Sequence, residues 1–221
     1  MKHIYHLMYA LMCMSLFSCS KPNVEESTYP LVKAVVFGDG HVENFEYDKA
    51  GNITRLWNEE GSLTIEYNLD ANRNGTINTS GWGKFILSNG CCTSCYLGDF
   101  SYNNGHLVQC YDSEWIQDYS WSNGCLTKIA TTYPGGTDTD EIEYYEEKDP
   151  FAEQAFDLNY TLLSDCFTGQ MPYIYGWFGK GSERLIKSIN NASVEYDWED
   201  NVITKVTITQ GSDKYTVSLK Y

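Results

Sequence analysis

The sequence predicts an all-β protein: a single antiparallel β-meander that curls toward a barrel, with one irregular or helical insertion near residues 149–180. Three observations carry that expectation. A three-residue unit, apolar–x–aromatic, recurs at Phe45-Glu46-Tyr47, Ile65-Glu66-Tyr67, Phe100-Ser101-Tyr102, Tyr119-Ser120-Trp121, Ile142-Glu143-Tyr144, Val194-Glu195-Tyr196 and Leu219-Lys220-Tyr221. Turn signals punctuate the chain at Asn89-Gly90, Asn104-Gly105 and Asn123-Gly124, and Asn-Gly favours two-residue hairpins because both residues tolerate positive φ. Between turns the hydrophobic pattern has period two. Val202, Thr204, Val206 and Ile208 share one strand face, and Tyr215, Val217, Leu219 and Tyr221 share a face of the next.

Successive repeat aromatics lie 20, 35, 19, 23, 52 and 25 residues apart. A unit of about twenty residues is two strands and two turns. The 35-residue step therefore hides one further copy near Phe85, and the 52-residue step holds an insertion opened by Asp149-Pro150. Roughly a dozen strands result, and a sheet that wide curls rather than lying flat with two exposed edges. Inside the insertion, Phe156, Leu158 and Tyr160 alternate as in a strand, whereas Phe151, Ala155 and Leu158 suit a helical face. The insertion is expected to cover an open end of the sheet.

Composition narrows the function classes. The 221 residues include 30 acidic and 15 basic side chains, for a formal charge of -15. No basic stripe offsets that charge, so a nucleic-acid partner is not expected. Aromatic residues make up 15% of the chain, too many for a disordered tail.

Residues 1–18 read as a signal peptide: Lys2, a short apolar run over 7–17, then Leu16-Phe17-Ser18-Cys19. That run is about half of what spans a bilayer. The ending resembles the lipobox of bacterial lipoproteins, which implies lipidation of Cys19 and attachment to a membrane through its acyl chains. Residues 19–30 form a polar tether with two prolines, and 31–221 form one folded domain. The expected location is the cell envelope, anchored to the outer membrane, with the periplasmic and surface faces both open.

The stretches Asp157-Leu158-Asn159-Tyr160 and Gly176-Trp177-Phe178-Gly179-Lys180, with the terminal hairpins at 194–198, 202–208 and 215–221, resemble a family of Bacteroidetes lipoprotein domains of unknown function. That family is described as having a porin-like fold, and the resemblance covers residues 31–221. It implies a curled antiparallel sheet and supplies no catalytic residue. Tyr47-Asp48 and Gly51-Asn52-Ile53 are also similar to the tyrosine-aspartate repeats of Rhs-type shell proteins. A lipid-facing barrel needs an outward apolar band. Charged residues recur in these strands at Glu46, Glu66, Glu143 and Glu195, so a water-exposed domain is expected.

Four groups of residues are candidates for chemistry. Cys91, Cys92, Cys95, Cys110, Cys125 and Cys166 are an even set in an exported chain, which favours disulfides, with plain buried thiols as the other structural reading. Cys92 and Cys95 alternatively offer a Cys-x-x-Cys pair for zinc or for redox chemistry. The loop Asp70-Ala71-Asn72-Arg73-Asn74-Gly75 matches the first half of a calcium loop, but Gly81 stands where a bidentate glutamate belongs. An Asx-rich turn explains the same residues. The acidic run Asp138, Asp140, Glu141, Glu143, Glu146, Glu147 and Asp149 reads first as a solvated strand face and second as catalytic carboxylates. Last come the aromatics. Trp177, Tyr175 and Tyr173, flanked by glycines, are the expected ligand-binding patch, against the alternative that such rings pair across strands.

No cofactor or metal is expected, nor an enzymatic role. The chain contains no nucleophile elbow, zincin helix or phosphate loop. The expected function is non-catalytic binding or adhesion to a polar ligand such as a glycan. Its rivals are a structural role with a protein partner and, third, a carboxylate-dependent hydrolase.

Overall fold

A computed structural model describes residues 29–152, 154–163 and 176–221. The signal peptide, Cys19, most of the tether, Cys166, Tyr173 and Tyr175 lie outside the described residues. Sixteen strands run in chain order. They are β1 (Ala34–Phe37), β2 (Val42–Tyr47), β3 (Ile53–Trp57), β4 (Ser62–Leu69), β5 (Gly75–Thr79), β6 (Gly83–Ser88), β7 (Cys91–Cys95) and β8 (Gly98–Asn103). Then follow β9 (His106–Tyr111), β10 (Ile116–Ser122), β11 (Cys125–Tyr133), β12 (Gly136–Lys148), β13 (Arg184–Ile189), β14 (Ala192–Glu199), β15 (Val202–Gln210) and β16 (Asp213–Lys220). Each pairs antiparallel with its sequence neighbours, and β1 pairs with β16, Val35 opposite Leu219, so the meander closes into a barrel. The expectation of a curled sheet holds. The strand number is sixteen among the described residues rather than about a dozen, because the short strands β5, β7 and β9 carry no aromatic repeat to announce them.

The repeat is the hairpin. Every copy sits on an even-numbered strand, and the hidden copy is Phe85-Ile86-Leu87 on β6, where leucine replaces the aromatic residue. The first residue of each unit points inward and is buried, from Phe45 through Phe85 to Leu219. The middle residue faces water. The aromatic residue turns inward again and donates its polar hydrogen to a carbonyl of the preceding odd strand or of the segment leading into it. Tyr47 reaches Val32, Tyr67 Ile53, Tyr102 Cys92, Trp121 Leu107, Tyr144 Leu126, Tyr196 Ile186 and Tyr221 Ile203, all at 2.6–2.9 Å. A buried tyrosine needs such a partner, and the carbonyls it meets would otherwise be costly to bury. In four copies a bulge falls just before the aromatic residue, which aims the ring at its carbonyl.

The wall is polar outside and apolar inside, the reverse of a lipid-spanning barrel. Sixteen strands enclose a lumen wide enough to hold water, yet this one is filled. The described part of the insertion supplies the filling: Phe151, Phe156, Leu158, Leu163, Trp177 and Phe178 join the inward strand residues in one core. Its regular structure is a single helical turn, Leu158–Leu162.

In an antiparallel meander alternate turns lie at the same end, so the barrel has two distinct ends. One carries the even-to-odd turns, the tyrosine ring, the insertion and both the N-terminal segment and Tyr221. Here Tyr29 packs edge-on against Phe151 at 4.9 Å and receives the Ile203 amide. Residues 176–183 cross this end in an extended path. Trp177 accepts the Cys92 amide, Lys180 donates to Gly105, and Ser182 receives the Leu126 amide. The other end carries the odd-to-even turns, and no described part of the insertion covers it.

Gly179 shows how tightly the cap lies. Its φ is +85°, and a Cβ there would stand 2.3 Å from the Gly105 carbonyl oxygen. Gly179→Ala is expected to cost more than about 1 kcal/mol. Gly61→Ala, with open space around it, should be near neutral in the same urea titration.

Candidate functional site

Trp177, expected to offer a binding face, is 2% exposed. Its ring packs against Phe85 at 5.0 Å and Tyr67 at 6.1 Å. It is part of the plug, and a ring enclosed on both faces has nothing to stack on a ligand. Tyr173, Tyr175 and Cys19, the expected lipidation residue, lie outside the described residues.

The calcium-like loop is an Asx turn. Asp70 Oδ1 accepts the amides of Asn72 and Asn74, and Oδ2 accepts the Asn74 side chain. These bonds, that from the Asn74 amide foremost, hold the Asp70 carboxyl below its ordinary range. Asp48 builds the same turn with Ala50 and Asn52. Among the described residues, no group of three or more His, Cys, Asp or Glu is placed to hold a metal ion.

The acidic run divides by strand face. Glu141 and Glu143 point outward into water, with Glu143 3.8 Å from Lys187. Asp138 accepts the Tyr133 hydroxyl at 2.6 Å, and Asp140 accepts the Asn190 amide at 2.7 Å.

Of the six candidate disulfide cysteines, Cys91 is disulfide-bonded, with its partner outside the described residues, and Cys166 is itself outside them. Cys92, Cys95, Cys110 and Cys125 are free thiols. Cys125 stands apart, against the backbone of Glu183 and Arg184, while the other three gather near β7.

At the end that no described part of the insertion covers, the inward-facing residues are more exposed. Along β16, Leu219 is 5% exposed, Val217 2% and Tyr215 43%. On β1, Val35 is buried and Phe37 only partly so. Phe37 lies 5.7 Å from the His41 ring and 6.5 Å from the Tyr215 ring, tilted by 38° and 36°. Beside them stands a polar triad. His41 Nε2 is 2.9 Å from Glu43 Oε1, which also accepts the Asn58 Nδ2 donor at 2.8 Å. Asn58 is held in turn by the amides of Glu60 and Gly61, both donating to its Oδ1.

Sequence reading missed this cluster. Its signal was there: His41 and Glu43 alternate onto one face as β2 begins, and the β2–β3 hairpin register brings Asn58 level with them.

The Glu43 hydrogen bond raises the His41 pKa above the ordinary 6.5, with lesser help from the charges of Asp39 and Glu60. Burial lowers that of His106, which packs 4.3 Å from Trp121. In a proton NMR titration the two rings should therefore titrate on opposite sides of the ordinary value. Glu43→Gln should bring His41 down and leave His106 in place.

The described residues form a closed, antiparallel sixteen-stranded β-barrel with an apolar core on its inner face. Two solved structures resemble it over nearly the whole fold. A porin-like protein from Bacteroides uniformis ATCC 8492 matches with a TM-score of 0.62 and 16% identity, over 87% of this chain and 99% of that one. A porin-like protein from Bacteroides vulgatus ATCC 8482 matches with a TM-score of 0.56 and 12% identity, over 86% and 98%. No protein-family model matches the sequence, and no curated protein matches it either.

Proposed function

We propose that this chain is a lipid-anchored envelope protein whose barrel holds its uncovered end away from the membrane as a non-catalytic binding surface for a polar ligand such as a glycan. The observation that carries the reading is the inequality of the two ends. The segment leading back to Cys19 joins the barrel at the capped end through Tyr29. A tether of ten residues can reach at most roughly 35 Å, so that end faces the lipid. At the opposite end the partly exposed rings of Phe37 and Tyr215 stand beside His41, Glu43 and Asn58, whose hydrogen-bond donors and acceptors are held at fixed positions. Few apolar faces with a small number of placed polar groups are what polar-ligand sites use.

The test is a glycan array on a chain beginning at residue 20, which keeps Tyr29. His41→Ala and Tyr215→Ala should each weaken binding about tenfold or more, a loss of roughly 1.4 kcal/mol, with the barrel still folded. Binding that survives both substitutions would remove the site.

A second reading, a protein partner on the outer wall, is favoured by one feature. Ile86 is 47% exposed and Tyr111 52%, and they lie on one cross-strand row through Ser94 and Asp99. Loss of partner capture in Ile86→Lys, with glycan binding unchanged, would support it.

A further inference from the structure

We infer that Cys92 and Cys95 form a thiol–disulfide exchange site on the inner face of β7, with Cys95 as the attacking thiol, Cys92 as the resolving thiol and a small disulfide or disulfide-bonded peptide as substrate. The inference is independent of ligand binding at the barrel end.

In a regular strand, residues three apart point to opposite faces. Here β7 is bulged. Leu87 pairs with Cys92 and Ile86 with Ser94, so Thr93 is an extra residue in the ladder, and its hydroxyl donates to the Ile86 carbonyl at 3.2 Å. The bulge slips the alternation by one. Cys92 and Cys95 therefore both face inward, and the Cys92 thiol donates to the Ser94 carbonyl at 3.5 Å. Cys95 Sγ accepts the Leu97 amide at 3.4 Å. A backbone donor aimed at the sulfur favours its thiolate, which is the reactive form. Interaction between the two neighbouring thiols acts in the same sense, lowering the Cys95 pKa and raising that of Cys92. Exposure assigns the same roles. Cys95 is half-buried beside exposed Tyr96 at the uncovered end, whereas Cys92 is fully buried behind it. Cys110 is buried as well, its pKa pushed up to about 12 by that burial, and it remains a spectator.

The exchange balances in two steps. The Cys95 thiolate attacks a disulfide R–S–S–R′, forming Cys95–S–S–R and releasing R′S⁻, which takes a proton from water. Cys92 then gives its proton to solvent and attacks the Cys95 sulfur. The Cys92–Cys95 disulfide forms and RS⁻ leaves. Two protein thiols are oxidised by two electrons, and the external disulfide is reduced to two thiols.

The test uses the mature chain isolated from membranes with its Cys91 disulfide intact, treated with oxidised glutathione and then mapped by iodoacetamide labelling and mass spectrometry. In the unsubstituted protein Cys92 and Cys95 should lose their reactivity together, with Cys110 and Cys125 still labelled. Cys92→Ser should trap a stable glutathione adduct on Cys95, and Cys95→Ser should slow the reaction about tenfold or more. Circular dichroism checks that each variant folds, and Cys92→Ala replaces Cys92→Ser if it does not. An adduct on Cys110, a bond between Cys110 and either partner, or Cys92 and Cys95 both remaining labelled would overturn the inference.

Discussion

Trp177→Ala should lower the unfolding free energy by about 3–5 kcal/mol, the cost of emptying a large buried aromatic site. The indole is closed in by Phe85 and Tyr67. The Trp177 carbonyl receives the Cys92 amide. Truncation would therefore leave a cavity where the cap meets β4, β6 and β7. For a domain of this size the melting temperature should fall by roughly 10 °C or more. Trp198→Ala is the control, since Trp198 is 47% exposed on β14 and should change stability little. Were Trp177 a stacking platform, its removal would spare stability and abolish binding.

Asn159→Leu is expected to be nearly as damaging, on the order of 3 kcal/mol or more. Its side chain ties three groups together while 1% exposed. Nδ2 donates to Asp149 Oδ2 at 2.8 Å and to the Arg184 carbonyl at 2.7 Å, and Oδ1 accepts the Ile186 amide at 3.2 Å. Leucine fills the space and satisfies none of them, and each buried polar group so stranded costs about 1–3 kcal/mol.

The same network makes stability depend on pH. Burial foremost, then the neighbouring Asp157 charge, holds the Asp149 pKa well above the ordinary carboxylate value. A raised folded pKa contributes stability that is complete below the unfolded pKa and is lost as pH rises through the folded one. As pH rises above the ordinary carboxylate pKa, the unsubstituted protein should lose stability relative to Asp149→Asn, as measured by urea unfolding at a series of pH values.

Much of the fold was legible because its repeat is local. The aromatic residue must sit at a fixed place in each hairpin to reach its carbonyl, so the spacing survives in the letters. Leu87 hid one copy because it makes no such bond. The turn at Asp200-Asn201 escaped notice because two non-glycine residues take positive φ there, at 48° and 64°. The insertion could be located but not filled in. Glycines beside Trp177 suggested an open backbone, whereas Gly179 is there to lie against the Gly105 carbonyl. Cysteine spacing left disulfides and buried thiols both open, because neither the bulge at Thr93 nor the isolation of Cys125 leaves a trace in it. The polar triad at the barrel end depends on strand register, which a linear pattern does not state.

Paramagnetic lipid offers the most direct test of a barrel standing on the membrane by its capped end. The protein as isolated from membranes would be placed in vesicles doped with a spin-labelled lipid and its amide relaxation measured. Strong relaxation is predicted at the Asp48–Asn52 and Asp200–Asn201 turns, with the Asp39–His41 and Ser212–Asp213 turns unaffected. Relaxation of the second pair of turns, or of a band midway along the strands, would contradict it.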